Sequence, residues 1–186
     1  MKKNPFSLWF FILFFFGIAC TSNSGNKLSL TKGSKISGKV ISIIDGDTYD
    51  ILIKGNRTIR IRMEGIDAPE RGMPFYRVSK NYLAKLCFQK EIKVNITSKD
   101  AYDRYIGYSY LKDGTELGYE MIKSGYAWHF KKYNSDLNLA DLEIEARKLK
   151  LGLWVDQRPM QPWVNRSLHY DGISTKDSFK IKLGQE

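Results

Sequence analysis

Cysteine and histidine are scarce in this chain, with two of each among 186 residues. The first cysteine, Cys20, closes an N-terminal apolar run. That leaves Cys87 alone, and no disulfide framework is available. His129 and His169 are too few parts for a zinc hydrolase, a histidine-based nuclease or a Ser-His-Asp enzyme. His129 lies in Trp128-His129-Phe130 and reads as a packing or surface group. The long apolar run, residues 6–19, falls short of the roughly 17 residues that a membrane-spanning helix needs. Internal repeats are absent. Acidic residues are outnumbered, 20 against 30 Lys and Arg, for a net charge of +10. Such a balance favours a polyanion, either nucleic acid or an anionic membrane surface, although solubility alone is a second reading.

Lys2 and Lys3 precede the apolar run, and Gly17-Ile18-Ala19-Cys20 ends it with small residues before a cysteine. This resembles the lipobox of bacterial lipoproteins. The resemblance implies that residues 1–19 are a lipoprotein-type signal peptide and that Cys20 becomes the lipidated first residue. The protein is then exported and lipid-anchored to the cell envelope, touching the membrane through that anchor alone. An uncleaved anchor, or a secretory signal cut elsewhere, are the other readings. Removing residues 1–19 takes away Lys2 and Lys3, so +10 becomes +8. Residues 20–34 are rich in Ser, Asn, Gly and Lys without periodicity and read as a flexible tether. Residues 35–170 form the folded domain, and residues 171–186 read as a polar, frayed tail.

Within the domain, residues 36–44, 48–53, 58–66, 91–97 and 104–111 carry strand patterns. Residues 75–88 have helical spacing, with Cys87 as a small buried hydrophobe. A short helix is expected over 115–124, capped by Gly125. A longer one starts at Ser135-Asp136, with Leu139, Leu142, Ala146 and Leu149 on one face, and ends at Gly152. Residues 153–165, with Trp154 and Trp163, are expected to cover the core as irregular chain. The fold class is α+β, mainly β: a partly open five-stranded OB-type barrel with three helices.

The chemistry gathers in residues 45–70. Asp45-Gly46-Asp47-Thr48 joins two strands, and Asp67-Ala68-Pro69-Glu70 follows the third. Between them Arg60 and Arg62 share one strand face, opposite Ile59, Ile61 and Met63. Each acidic corner alone is ordinary turn or helix-start chemistry. If they meet in space, they form an oxygen-lined pocket suited to a hard cation such as calcium, magnesium or manganese, and not zinc.

Taken in order, Asp45-Gly46-Asp47-Thr48, Arg62 and Gly65-Ile66-Asp67-Ala68-Pro69-Glu70 resemble the staphylococcal nuclease, or thermonuclease, family. Asp100-Ala101-Tyr102-Asp103-Arg104, Gly125-Tyr126-Ala127-Trp128 and Gly152-Leu153-Trp154 extend the resemblance from residue 35 to about residue 166. The resemblance implies a Ca2+-dependent endonuclease that cuts DNA and RNA with little sequence preference and leaves 3′-phosphate ends. It implies Asp47 and Asp67 as carboxylate ligands of the ion and Ala68 as a backbone carbonyl ligand. Glu70 is implied to position or deprotonate the attacking water, and Arg62 to bind the scissile phosphate. Arg104 is the implied second arginine, in the register that requires no deletion in the following strand. Reading Asp103-Arg104-Tyr105 as the family's Asp-Arg-Tyr would shift that position to Gly107. Tyr102 and Tyr133 are implied beside the nucleotide, Asp45 lies just behind the ligands, and Lys131 and Lys132 are within reach of phosphates. Nothing calls for a protein partner, and a monomer is expected. The competing reading is a non-catalytic surface lipoprotein that binds nucleic acid or another polyanion.

Overall fold

The computed structural model describes residues 29–183. The signal peptide, Cys20 and most of the tether therefore lie outside the described residues.

Five strands close into a barrel in the order β1-β2-β3-β6-β5. These are β1 (Lys35–Ile43), β2 (Thr48–Ile53), β3 (Arg57–Met63), β5 (Glu91–Lys99) and β6 (Tyr105–Tyr110). The barrel was expected to be partly open; a parallel pairing of β3 with β6 closes it, with Arg62 opposite Ile106. The other ladders are antiparallel. β1 and β5 each carry one register shift, which lets strands of this length coil round a small barrel. Alternation sends Val40, Tyr49, Ile51, Ile59, Ile61, Val94 and Ile96 inward, where they form one core. Tyr49 keeps its hydroxyl paired inside that core, 2.5 Å from Ser109 Oγ.

The third strand was expected to run to residue 66. It stops at Met63, because Gly65 takes φ 75° and turns the chain. A two-residue strand, β4 (Ile66–Asp67), then pairs with β7 (Trp128–His129). This turn re-aims Asp67 out of the β3 line. A side chain at Gly65 would also meet Asn134 and Leu139 at 2.8–2.9 Å.

Helix α1 (Tyr76–Cys87) links the two halves of the barrel. Helix α2 (Leu117–Lys123) begins at Glu116, whose carboxylate accepts the Tyr119 N–H, and ends at Gly125 with φ 72°. Helix α3 (Leu137–Lys148) is capped by Asp136, which accepts the Asn138 N–H. It stops four residues short of Gly152. Leu139 and Ala146 are buried as expected, while Leu149 caps the helix in solvent.

The C-terminal region differs most from the sequence reading. Residues 153–165 are not irregular throughout. A 3-10 turn spans Gly152–Val155, and α4 (Pro162–Tyr170) follows. Pro162 stands in the first turn of α4, where its missing N–H costs nothing. Within residues 171–186, helix α5 (Thr175–Leu183) forms, with Ser178 fully buried. Trp128, Ala146, Leu153 and Trp154 make a second apolar cluster, and Trp163 packs on it. These helices fold because that cluster offers an apolar surface to cover, a tertiary cause that local periodicity does not carry.

Candidate active site

The two acidic corners meet. Asp47 sits in the β1–β2 turn and Asp67 at the end of β4, and Arg62 on β3 reaches both. Arg62 Nη1 lies 2.9 Å from Asp47 Oδ1, and Nη2 lies 2.8 Å from Asp67 Oδ1. The Arg62 guanidinium also donates to the Ile66 carbonyl at 3.0 Å. Asp47 is fixed from its other side as well. Its Oδ2 accepts the Ala68 N–H at 2.7 Å, and its Oδ1 accepts the Thr48 hydroxyl at 2.8 Å. Asp45 Oδ1 accepts the Asp47 N–H at 3.0 Å, an Asx turn that sets the corner. Gly46 lies against Ser79 and Ala68 too closely for any side chain.

The charges respond to this crowding. Burial, with the Asp47 carboxylate beside it, raises Asp45 to about 7. Burial also raises Asp67, against the opposing pull of Arg166 and Arg62. Burial alone would depress Arg62, but Asp47, Asp67 and Asp45 outweigh it and hold the guanidinium firmly charged.

A groove of about 1280 Å³ runs past these residues. Asp45, Asp47, Arg62, Asp67, Ala68 and Glu70 line it, as do Tyr102, Arg104 and Tyr133 on its other parts. The sequence-selected set thus shares one concavity. Arg104 does not touch the carboxylate cluster: its Nε donates to Asp100 Oδ2 at 2.7 Å, and its guanidinium lies 5.5 Å from the Tyr102 ring centre. Tyr102 and Tyr133 are exposed. Lys132 sits over the Tyr133 ring, whereas Lys131 pairs with the buried Glu143 at 3.1 Å. Arg60, on the same face as Arg62, is held in a two-point pair by Asp50, directly opposite on β2. His129 is buried, with Nε2 3.2 Å from Asn134 Oδ1, and acts as packing.

Sequence reasoning missed two residues, both on α4. Arg166 Nη2 lies 2.6 Å from Asp67 Oδ2, and Nη1 lies 2.6 Å from Glu70 Oε1. Asn165 Nδ2 approaches Glu70 Oε2 at 3.4 Å. The available signal was Pro162 followed by a run free of helix breakers, which places Asn165 and Arg166 in the first two turns of a helix.

The carboxylates gathered around Arg62 and Arg166 are those of Asp47, Asp67 and Glu70, so the atoms offered to a cation are hard oxygens. Among the described residues no three Asp, Glu, His or Cys side chains close into a metal cage. Hard oxygens in small number, close enough that burial and the Asp47 carboxylate raise Asp45 to about 7, fit a hard divalent cation whose shell water and substrate would complete. They do not fit zinc.

The family profile described as staphylococcal nuclease homologue matches residues 60–156. The chain belongs to the staphylococcal nuclease family. It is 37% identical over 131 residues to an uncharacterized endonuclease of Escherichia coli O157:H7, covering 70% of this chain and 85% of that one. It is 34% identical over 146 residues to a micrococcal nuclease of Shigella flexneri, covering 73% and 83%. A probable staphylococcal-like nuclease of rice is 42% identical over 125 residues, which is 67% of this chain and 31% of the rice protein. The chain is accordingly a nuclease of the metal-dependent staphylococcal type, an endonuclease acting on nucleic acid.

Proposed function

We propose that this nuclease uses Ca2+ to hydrolyse phosphodiester bonds of both DNA and RNA, with little sequence preference. The observation that supports this most is the meeting of Asp47 and Asp67 on the single Arg62 guanidinium, with Glu70 at the same groove wall. Asp47, Asp67 and the Ala68 carbonyl would hold the cation. When bound, the cation supplies positive charge against the phosphate oxygens as the five-coordinate state forms. Arg62 and Arg104 bind the phosphate; the planar guanidinium fork matches two of its oxygens. Glu70 takes a proton from the attacking water, whose oxygen bonds to phosphorus as the bond to O5′ breaks. The products are a 3′-phosphate and a 5′-hydroxyl, the departing O5′ taking its proton from solvent. Tyr102 and Tyr133, exposed along the groove, flank the sugar and base, and Asp45 holds the Asp47 corner. A groove that grips phosphates rather than base edges accepts both sugar types.

The retained carboxylates and arginines favour an enzyme over a polyanion-binding module. The test is digestion of plasmid DNA and of RNA by the purified protein with Ca2+, with Mg2+ or with chelator. Cleavage of both substrates only with Ca2+ is expected, with 3′-phosphate ends. Polyanion binding that survives chelation, without cleavage, overturns the reading. Residues 1–20 support export and lipid anchoring at Cys20; mass spectrometry of the membrane-extracted protein tests this, and an unmodified Cys20 or an intact leader refutes it.

A further inference from the structure

The family resemblance accounts for two arginines of the groove, Arg62 and Arg104, and gives Arg166 no part. Arg166 holds Asp67 at two points, Nη2 to Oδ2 at 2.6 Å and Nη1 to Oδ1 at 3.2 Å. The same Nη1 reaches Glu70 Oε1 at 2.6 Å. Asp67 is thereby gripped by two guanidiniums, since Arg62 already occupies Oδ1.

A rigid element carries this contact. Helix α4 is pinned at one end by Trp163, which stacks on Phe130 with ring centres 5.1 Å apart and planes within 8°. Asn165 is buried beside Glu70. At the far end Tyr170 stands next to Tyr102, whose hydroxyl raises the Tyr170 phenol above its ordinary value. The helix therefore crosses the groove from the Phe130 side to the Tyr102 side. Arg166 keeps 35% of its side chain exposed, and it lines the groove that substrate must enter.

A guanidinium on these carboxylates opposes a divalent cation in two ways. Its like charge repels the ion, and it occupies oxygen lone pairs that the ion needs. A phosphodiester offers the same fork a planar pair of anionic oxygens. We propose that Arg166 is a third phosphate-binding residue. Without substrate it rests on Asp67 and Glu70 and keeps the cation site weak. With substrate it turns to the phosphate and releases those carboxylates to the cation. Cation and nucleic acid then bind cooperatively, and by linkage each tightens the other by the same factor. The same release frees Glu70 as the water's proton acceptor only when a phosphate is present.

This inference rests on the nuclease reading above, and the experiment separates the two. Mn2+ is titrated into the full chain and followed by its electron paramagnetic resonance signal, with and without a phosphorothioate-linked oligothymidylate. In the native protein the oligonucleotide is expected to tighten Mn2+ binding by about tenfold or more. Arg166→Gln is expected to bind Mn2+ about tenfold more tightly than the native protein without oligonucleotide, and to lose most of the further gain. Arg166→Lys keeps the charge without the fork and falls between the two. It carries the test if the glutamine variant does not fold. Equal or weaker oligonucleotide-free Mn2+ binding in both variants, or unchanged coupling, overturns the role of Arg166 alone. A native protein that binds no Mn2+ and cuts nothing overturns the nuclease mechanism with it.

Discussion

The Asp47 carboxylate accepts the Ala68 backbone N–H at 2.7 Å, tying two turns that are twenty-one residues apart. This one bond makes the site a product of the barrel's closure, since neither corner holds the other locally. Asp47→Ala leaves the buried Ala68 N–H without a partner and takes one carboxylate from Arg62. Relief of Asp45, which Asp47 pushes up, offsets part of the loss. The net cost is about 2 kcal/mol. Asp47→Asn retains an acceptor and costs less. Thermal melting of both variants checks the order; equal melting temperatures would mean that the tie contributes nothing.

Gly46 is fixed by space and not by backbone angle. A Cβ there would sit 1.9 Å from Ser79 Oγ and 2.8 Å from Ala68 Cβ. Gly46→Ala is expected to destabilise the fold by about 2–3 kcal/mol, the cost of an overpacked core. Ser79→Gly in the same background recovers part of that and not all, because Ala68 remains. A double-mutant cycle on denaturant midpoints gives the coupling. Simple additivity would show that the close approach to Ser79 is not what excludes alanine.

The three sequence-selected residues of the reaction separate by burial. Glu70 is one-third exposed, so Glu70→Gln is expected to lower turnover by about 10²–10⁴ with little change in melting. Arg62 is deep between two carboxylates. Arg62→Ala leaves Asp47 without its cation, while Arg166 still holds Asp67, and costs about 3 kcal/mol of stability in addition to activity. Arg104 pairs with Asp100 near the surface, so Arg104→Ala loses turnover while stability moves by less than about 1 kcal/mol. Parallel turnover and melting measurements resolve the three patterns. Full activity in Arg104→Ala would return the second-arginine role to another residue.

What the sequence made legible depended on where each cause lies. Strand alternation is local, so the five strands could be read directly; each acidic corner alone is ordinary turn chemistry, and Asp47, Asp67 and Glu70 stood out only through the ordered motifs of the family resemblance. The Asp103 position shows the same locality: it adopts φ 65°, a left-handed conformation that Asp tolerates. Arg166 was hidden because its partners lie nearly a hundred residues away, and its helix is held by Trp163 on Phe130. Nothing within residues 160–170 announces Asp67. The break at Gly65 was hidden for a similar reason, because β4 leaves β3 to pair with β7. Alternation continues through Ile66 in the sequence whichever partner the strand takes.

Cys87 gives a final test that is independent of the nuclease chemistry. Its side chain is fully buried, and its thiol donates to the Leu83 carbonyl at 3.2 Å. Burial pushes the thiol up to about 12, with Lys90 pulling weakly the other way. The folded value lies above the ordinary value of 9.0, so the folded state favours the protonated thiol. That stability is fully present below about pH 9 and drains away as pH rises towards 12. Buried Tyr49, also raised, adds to the same alkaline loss. Cys87→Ala should therefore make the fall in melting temperature between pH 9 and 11 shallower than in the native protein. At pH 8 the thiolate fraction is negligible and access is closed, so iodoacetamide should label Cys87 only after denaturation. Peptide mapping reads this directly, and labelling of Cys87 in the folded protein would contradict both its burial and its raised pKa.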